Sequence, residues 1–488
     1  MTPDAPEPPE GRRVRYEIDR RPLTLVLLSR LRGQIMLAAL FGVFAAVTTA
    51  VAPPEGLSAA GWKTLCIFAL CAVLWATSLL PLAMTSLLAM CLVPLLGVMP
   101  AEQAYGYFGS KVVFFILGAL MLAAAMARTG LSTRVATVVV RRFGKTPRRL
   151  VAAVFLLCAA GSCVMSEHAV AAMVLPIIVD LGRALRLEGR SLLGKALAFA
   201  LAWGCIIGGS LTVLGGGRGP LAIAILEEAT GRASSIGFLE YSLFALPMVL
   251  ILLATGAVLL YRLRPEIADT SVALQALEER IRAMGKATGR ERALALVMVV
   301  TVGAWALAGH ELGLDTIAII ACAALFALRV VTWREIEDGL GWGIILMYGG
   351  AIALSAAMSS TGAGAWITAR LVPATFDAPE VLLLSLCVVA MVLTELMSNS
   401  AVVALLLPPT LALCQTHGID PRAATMAIVL PTNFAFMLPI ATPATALAMS
   451  TGYPTSSEIA RKGFILDVFG FAAVAFLVFV YWPLIGLL

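Results

Sequence analysis

The chain has 488 residues, of which 60% are hydrophobic and only 13% charged, with a mean hydropathy of +0.95 and a net charge of +6. That composition excludes an ordinary soluble globule, about a quarter of which is charged, and leaves a polytopic membrane protein. The nine cysteines (66, 71, 91, 158, 163, 205, 322, 387, 414) lie in or beside apolar stretches without metal-like spacing, so they read as small apolar residues rather than a disulfide framework.

Residues 1–33 read as a cytoplasmic N-terminal segment. Its first twenty or so residues, rich in proline and charge, are expected to be disordered. No small-residue cleavage site follows the first apolar run, so this is no cleavable signal. A spanning helix needs roughly 20 mostly apolar residues. Spans are predicted at 34–52, 62–80, 82–99 and 112–128, followed by an interfacial amphipathic segment at 131–149. Residues 150–181 are different: two short apolar arms flank the polar tip Ser166-Glu167-His168. Spans resume at 196–226 and 238–262, and 264–292 is a charged cytoplasmic connector with helical character. Further spans are predicted at 293–309, 314–331 and 342–359, with a second interfacial segment at 363–372. Residues 380–414 again place two apolar arms around a polar tip, here Ser398-Asn399-Ser400, and spans at 421–450 and 464–486 close the chain. After each tip only 11 to 14 apolar residues follow, which is short for a span and suits a re-entrant hairpin. A pair of ordinary spans joined by an exposed turn is the alternative.

Lysine and arginine orient these elements. With the N-terminus in the cytoplasm and each hairpin returning to the side it left, 29 of the 35 basic residues fall inside. This agrees with the positive-inside rule. Two full spans in place of a hairpin would preserve the same parity, so the count does not test the hairpins. Arg218 is left inside an apolar span.

A constant shift of 232 residues superposes the two halves. Leu122-Ala123-Ala124-Ala125-Met126 falls on Leu354-Ser355-Ala356-Ala357-Met358, Thr129-Gly130 on Thr361-Gly362, Ser162 on Thr394, and Leu175-Pro176 on Leu407-Pro408. The tip Ser166-Glu167-His168 falls on Ser398-Asn399-Ser400. The first repeat is placed in 34–226 with an inner hairpin, a connecting helix and linker in 227–292, and the second repeat in 293–488 with an outer hairpin. The two hairpins enter from opposite sides, so the repeats are inverted. Inverted repeats with broken helices mark secondary transporters, whose site lies where the repeats meet. A channel and a membrane enzyme using Glu167 and His168 as an acid–base pair are the competing classes. No selectivity-filter run, nucleotide loop or metal cluster supports either.

Each hairpin is followed by a second polar interruption, Gly208-Gly209-Ser210-Leu211-Thr212-Val213-Leu214-Gly215-Gly216-Gly217-Arg218-Gly219-Pro220 in the first half and Leu438-Pro439-Ile440-Ala441-Thr442-Pro443-Ala444-Thr445 in the second. Glycine and proline break a helix there, freeing carbonyls that can hold a cation and N–H groups that can hold an anion. The combination of TELMSNSAVVALLLP with NFAFMLPIATPATA resembles the divalent anion/sodium symporter family, which carries di- and tricarboxylates and sulfate. The GGSLT segment and FFILGALMLAAAMARTG extend the resemblance over nearly the whole chain after residue 30. It implies an all-α fold of about eleven spans plus two re-entrant hairpins, a homodimer built on a fixed scaffold, and an elevator-like transport domain.

Ser398 and Asn399 are good N-caps, and the free N–H groups of the arm behind them favour a carboxylate at the tip. The resemblance implies sodium around Thr394, Met397, Asn399 and Ala441. It places substrate against Ser166, Glu167, His168, Arg218, Ser398, Asn399, Ser400, Thr442 and Pro443. In the first half Ser162, Ser166, Gly208, Gly209 and Thr212 match the family's other sodium site, but Glu167-His168 stand where the family has Asn-Thr, and Arg218 stands near its Thr-Pro-Pro-Asn. An isolated charge inside a membrane is costly and usually pairs or lines a wet cavity. Arg218 and Glu167 are therefore expected to pair, with Arg218 as a permanent cation facing the substrate. His168 is a third donor or a proton carrier. A purely structural pair with His168 as a helix cap is the plainer alternative. Glu395 is read as structural.

These readings converge on a transporter of a small divalent anion, most simply a dicarboxylate, coupled to sodium at one retained site. Sodium-independent exchange, proton coupling, or transport of sulfate or sulfonates remain open. Lipid and a second copy of the chain are the expected partners, nucleic acid is not, and the expected location is the cytoplasmic membrane.

Overall fold

A computed structural model describes residues 23–189, 191–263, 271–371, 378–438 and 441–488. The expected disorder of residues 1–20, the opening of the connector at 264–270, and Pro439 and Ile440 of the second break lie outside the described residues. The chain divides into a unit of residues 1–50, described as the helix Leu23–Ala50, and a unit of residues 51–488. Every regular element among the described residues is helical.

Among the described residues, eight helices are long and apolar enough to cross a membrane. They include Ala59–Thr77, Phe238–Arg262 and Trp342–Ser360, each near its expected span. Two expected spans come out short. Leu82–Leu95 and Leu314–Ala327 have 14 residues each, a rise of about 21 Å. The first is stopped at the left-handed Gly97, the second by a turn through left-handed Arg329. Two others are broken where glycine and proline predicted it. The 196–226 stretch is Leu192–Gly208 and Arg218–Ala229, and the 421–450 stretch is Pro421–Val429 and Pro443–Ser450.

The hairpins are helix pairs. The first is Pro147–Ser162 and Glu167–Ala184, the second Pro379–Leu396 and Asn399–His417. The second arms are longer than their apolar runs, at 18 and 19 residues, because the helix continues into polar sequence at Asp180 and Gln415. The 232-residue shift reappears in the helix starts: Leu131 and Ala363, Pro147 and Pro379, Glu167 and Asn399 each open a helix at that spacing.

What positions the tips is an exchange of short helices. Arg218–Ala229, from the first half, packs on Asn399–His417 of the second hairpin and on Trp342–Ser360. Pro443–Ser450, from the second half, packs on Glu167–Ala184 of the first hairpin and on Leu192–Gly208. The two breaks are also tied directly, Asn433 Nδ2 donating to the Ile206 carbonyl and to Ser210 Oγ. Pro147–Ser162 lies tightly along Leu192–Gly208. A Cβ on Gly204 would come within 2.5 Å of the Phe155 carbonyl oxygen, and one on Gly208 within 2.1 Å of that of Ala159. Small residues at such a crossing let backbones approach, the usual device for helix association in lipid.

Gly208→Val should therefore destabilise the protein by at least the 1–3 kcal/mol typical of an overpacked core. Gly106→Ala, where no heavy atom lies within 4 Å of the added Cβ, should be close to neutral. Thermal unfolding of the two purified variants in detergent checks the contrast; equal melting temperatures would refute the close crossing.

Candidate functional site

The first tip is built by a cap. Ser166 has extended backbone and its hydroxyl accepts from the Ala169 N–H, so the helix starts at Glu167. That fixes Glu167 and His168 in the first turn, where the helix dipole favours a carboxylate. The second tip starts its helix at Asn399, after Met397 and Ser398 in non-helical conformations, and Ser398 makes no side-chain cap. Its hydroxyl is therefore left to other partners. Thr442 caps Pro443–Ser450, accepting from the Thr445 N–H.

These pieces surround one cavity of about 510 Å³. Ser166, Glu167, His168 and Arg218 line it from the first half. Met397, Ser398, Asn399 and Ser400 line it from the second hairpin, and Ala441, Thr442 and Pro443 from the second break. All nine expected substrate residues thus share one space. Thr394, Ser162, Gly208, Gly209 and Thr212 are not among the residues that line it. Apolar lining comes from Phe115, Ile116, Ala119, Leu120 and Ile344.

Arg218 is 3% exposed and Glu167 is 1%. Arg218 Nη1 lies 3.6 Å from Glu167 Oε2, a charge contact longer than a hydrogen bond. Arg218 Nη2 donates to the Gly209 carbonyl at 2.8 Å. The guanidinium therefore bridges the carboxylate of the first tip and a carbonyl freed by the first break. A Cβ on Gly209 would come within 2.9 Å of Glu167 Oε2, and one on Gly216 within 2.5 Å of Arg218 Nη1, so both glycines make room for the pair. His168 is on the open side, half-exposed, with Nδ1 3.6 Å from Glu167 Oε1.

The other first-half residues are placed as follows. Thr212 Oγ1 donates to the Cys163 carbonyl at 2.7 Å, joining the break to the tip. Ser162 is fully buried and its hydroxyl has no partner among the described residues. The equivalent second-half residue, Thr394, is equally buried but stands among oxygens: Asn399 Oδ1 at 2.8 Å and the Thr432 carbonyl at 2.6 Å. One hydroxyl proton serves only one of those acceptors at a time, so this cluster has oxygen lone pairs to spare for a hard cation. Glu395 receives the Met437 and Leu438 N–H groups, both at 2.8 Å, and so holds the second break in place. The structural reading of Glu395 fits this arrangement.

Sequence reasoning missed three participants. The Thr432 carbonyl carries no side-chain signal. Tyr348 is buried against Gly217, with Ser400 on the same side, and nothing in its surrounding pattern singled it out. Asn433 stands inside the quoted NFAF stretch, and its amide is what ties the two breaks together.

Comparison with known proteins gives three findings. The family described as sodium:sulfate symporter transmembrane region matches residues 34–488. The sodium-dependent dicarboxylate transporter SdcS of Staphylococcus saprophyticus is 25% identical over 484 residues, covering 93% of each chain. SdcS of Staphylococcus aureus is 25% identical over 464 residues and 88% of each chain. Among solved structures, Neisseria gonorrhoeae MtrF is similar with a TM-score of 0.55 at 16% identity, covering 95% of this chain and 96% of that one. The YdaH transporter of Alcanivorax borkumensis gives 0.54 at 17%, covering 78% and 88%. At those identities the likeness is one of fold.

Breaking the buried pair strands the surviving charge, which costs about 3–5 kcal/mol. Arg218→Thr and Glu167→Asn should each lower stability by that order. Glu167→Asn combined with Arg218→Thr removes both charges and should recover a large part of the loss. A thermal-unfolding cycle over the single and double variants measures the coupling; additive losses would show that the two charges do not depend on each other.

Proposed function

The chain belongs to the sodium:sulfate symporter transmembrane family, and from that membership we propose that it is a secondary active transporter of a small divalent organic anion, a dicarboxylate, in the cytoplasmic membrane. As a member of the family it is a multi-pass membrane transporter and not an enzyme. The observation that carries the finer reading is the single cavity to which both hairpin tips contribute, each tip being the N-terminus of a helix. A dianion needs two clusters of donors at a separation set by its own length. The relatives named as sodium-dependent dicarboxylate transporters support the substrate class.

In this reading Ser398, Asn399, Ser400 and the N–H groups behind them hold one carboxylate. Ser166, His168 and the N–H groups of the first tip hold the other, and Thr442 and Pro443 close the remaining side. Sodium travels at Thr394, Met397, Asn399 and Ala441; the approach of the Thr394 hydroxyl to Asn399 Oδ1 at 2.8 Å supports the first and third of these. Arg218 replaces the other sodium. Its guanidinium keeps its proton, takes the Gly209 carbonyl, and is balanced by Glu167. Ser162, Ser166, Gly208, Gly209 and Thr212 then hold no ion of their own. The hairpins are re-entrant, the N-terminus is cytoplasmic, and a homodimer moves its transport domains as elevators. A second reading, proton coupling or sodium-independent exchange, is favoured by one observation: His168 stands half-exposed in the cavity beside Glu167.

Uptake of labelled succinate into proteoliposomes tests the proposal. Replacing sodium by choline should cut uptake more than tenfold, a coupling of over about 1.4 kcal/mol. Asn399→Ala should abolish it, since one side chain serves both ion and anion. The sodium dependence should be hyperbolic, and become sigmoidal in the Glu167→Asn, Arg218→Thr double variant. Uptake indifferent to choline would discard the retained sodium site and leave exchange.

A further inference from the structure

A second cavity lies behind the first tip, and the transport reading does not use it. It encloses about 770 Å³ between the helix Leu131–Phe143 and the hairpin arm Pro147–Ser162. Val135 and Val139 form one wall, Leu156 and Leu157 the other, and Met126 and Met173 are also in the lining. Apart from Ser132, whose hydroxyl donates to the Met126 carbonyl, the lining is apolar except at one end, where Arg142, Lys145 and Arg149 stand together. No acidic residue is among the described residues lining it, and none of the three cations is in a salt bridge among those residues. Arg142 has only a ring contact, its guanidinium 6.0 Å from the Phe143 ring. All three cations are exposed, as are Val135, Phe143 and Leu156 at the rim.

We propose that this groove is a binding site for one anionic phospholipid of the surrounding bilayer, its phosphate among Arg142, Lys145 and Arg149 and an acyl chain along the apolar walls. Three features select that occupant. The polar end is cationic and uncompensated, which matches a headgroup of net negative charge rather than a zwitterionic one. The walls offer hydrocarbon and almost no hydrogen bonds, which excludes a soluble anion as the main occupant. From Arg149 to Gly161 the arm rises about 18 Å, close to one leaflet of a hydrocarbon core about 30 Å thick. Clusters of basic residues beside an apolar surface are a general means of holding anionic lipid.

The position gives the lipid a consequence. The groove ends at Val164 and Met165, which also line the 510 Å³ cavity. These residues form the turn between the arms of the first hairpin. A bound acyl chain therefore braces the tip from behind, on the side away from Glu167 and His168. Anionic lipid should then alter the transport rate through the tip, without touching substrate.

The test uses the full chain, purified and titrated in mixed micelles with phosphatidylglycerol or phosphatidylcholine, with bound lipid read by native mass spectrometry. Phosphatidylglycerol should be retained and phosphatidylcholine not. Arg142→Gln, Lys145→Gln and Arg149→Gln together should weaken phosphatidylglycerol on the order of 100-fold, from about fivefold per surface cation. Ala152→Trp leaves the cations and obstructs the groove at an exposed lining position, and should also weaken binding. Equal retention of both lipids, or unchanged binding in the triple variant, overturns the site. Unchanged binding in Ala152→Trp overturns the acyl-chain part. If phosphatidylglycerol binds only after deletion of residues 2–22, the chain's own N-terminal segment is the occupant and the proposal fails.

Discussion

A helix that stops part-way across a membrane leaves backbone groups without partners, and hydrocarbon supplies none. The interior of this protein is arranged around that constraint. Leu192–Gly208 stops at the glycine run, and Pro421–Val429 stops before Phe434–Leu438. Their loose ends are turned toward each other and toward the two hairpin tips. Asn433 spans the gap to Ile206 and Ser210, Glu395 takes two N–H groups of the second break, and Thr212 returns to Cys163. The exchanged helices Arg218–Ala229 and Pro443–Ser450 hold each break against the opposite hairpin. The cavity rich in donors and acceptors lies where these unfinished helix ends meet.

Symmetry makes the difference between the halves informative. In the second half a neutral Asn399 and a buried Thr394 leave oxygen lone pairs converging. In the first half the same positions hold Glu167 and Ser162, and the freed Gly209 carbonyl is already taken by Arg218. Desolvating either charge alone would be prohibitive, so the two substitutions make sense only as a pair. On the proposed reading the guanidinium occupies the role of a free cation, but it is covalently attached. It cannot be picked up on one side of a membrane and released on the other.

Much of this was readable in the sequence where chemistry is local or periodic. The 232-residue shift located the equivalent helices, and their starts at Pro147 and Pro379, or Glu167 and Asn399, keep it. The Glu167–Arg218 contact was legible because a lone charge in an apolar field requires a partner. Helix lengths were less legible. Leu82–Leu95 looks like a longer span because hydropathy does not register that the left-handed Gly97 ends it. The hairpin arms outrun their apolar stretches for the converse reason, since a helix continues through polar residues once its apolar face is packed. The Thr432 carbonyl, Tyr348 and the groove behind Val164 and Met165 were invisible. Each depends on which segments meet, and nothing in a single segment records that.

Charge balance sharpens what the altered half means for transport. On the one-sodium reading, a dianion moves with one cation, so each cycle carries a net negative charge. A membrane potential that is negative inside opposes import of that charge by about 2.3 kcal/mol per 100 mV. Arg218 does not help, because its charge and that of Glu167 cross together in both directions and cancel. A second mobile positive charge would restore neutrality, and the half-exposed His168 at the same tip is placed to carry a proton. Exchange of one dianion for another reaches neutrality without it. On the proposed reading, Glu167 and His168 at the first tip bear less on which anion is held than on how its charge is balanced. On that reading Glu167 and His168 belong to one device, Glu167 balancing the fixed charge of Arg218 at 3.6 Å and His168 standing beside it on the open side of the cavity.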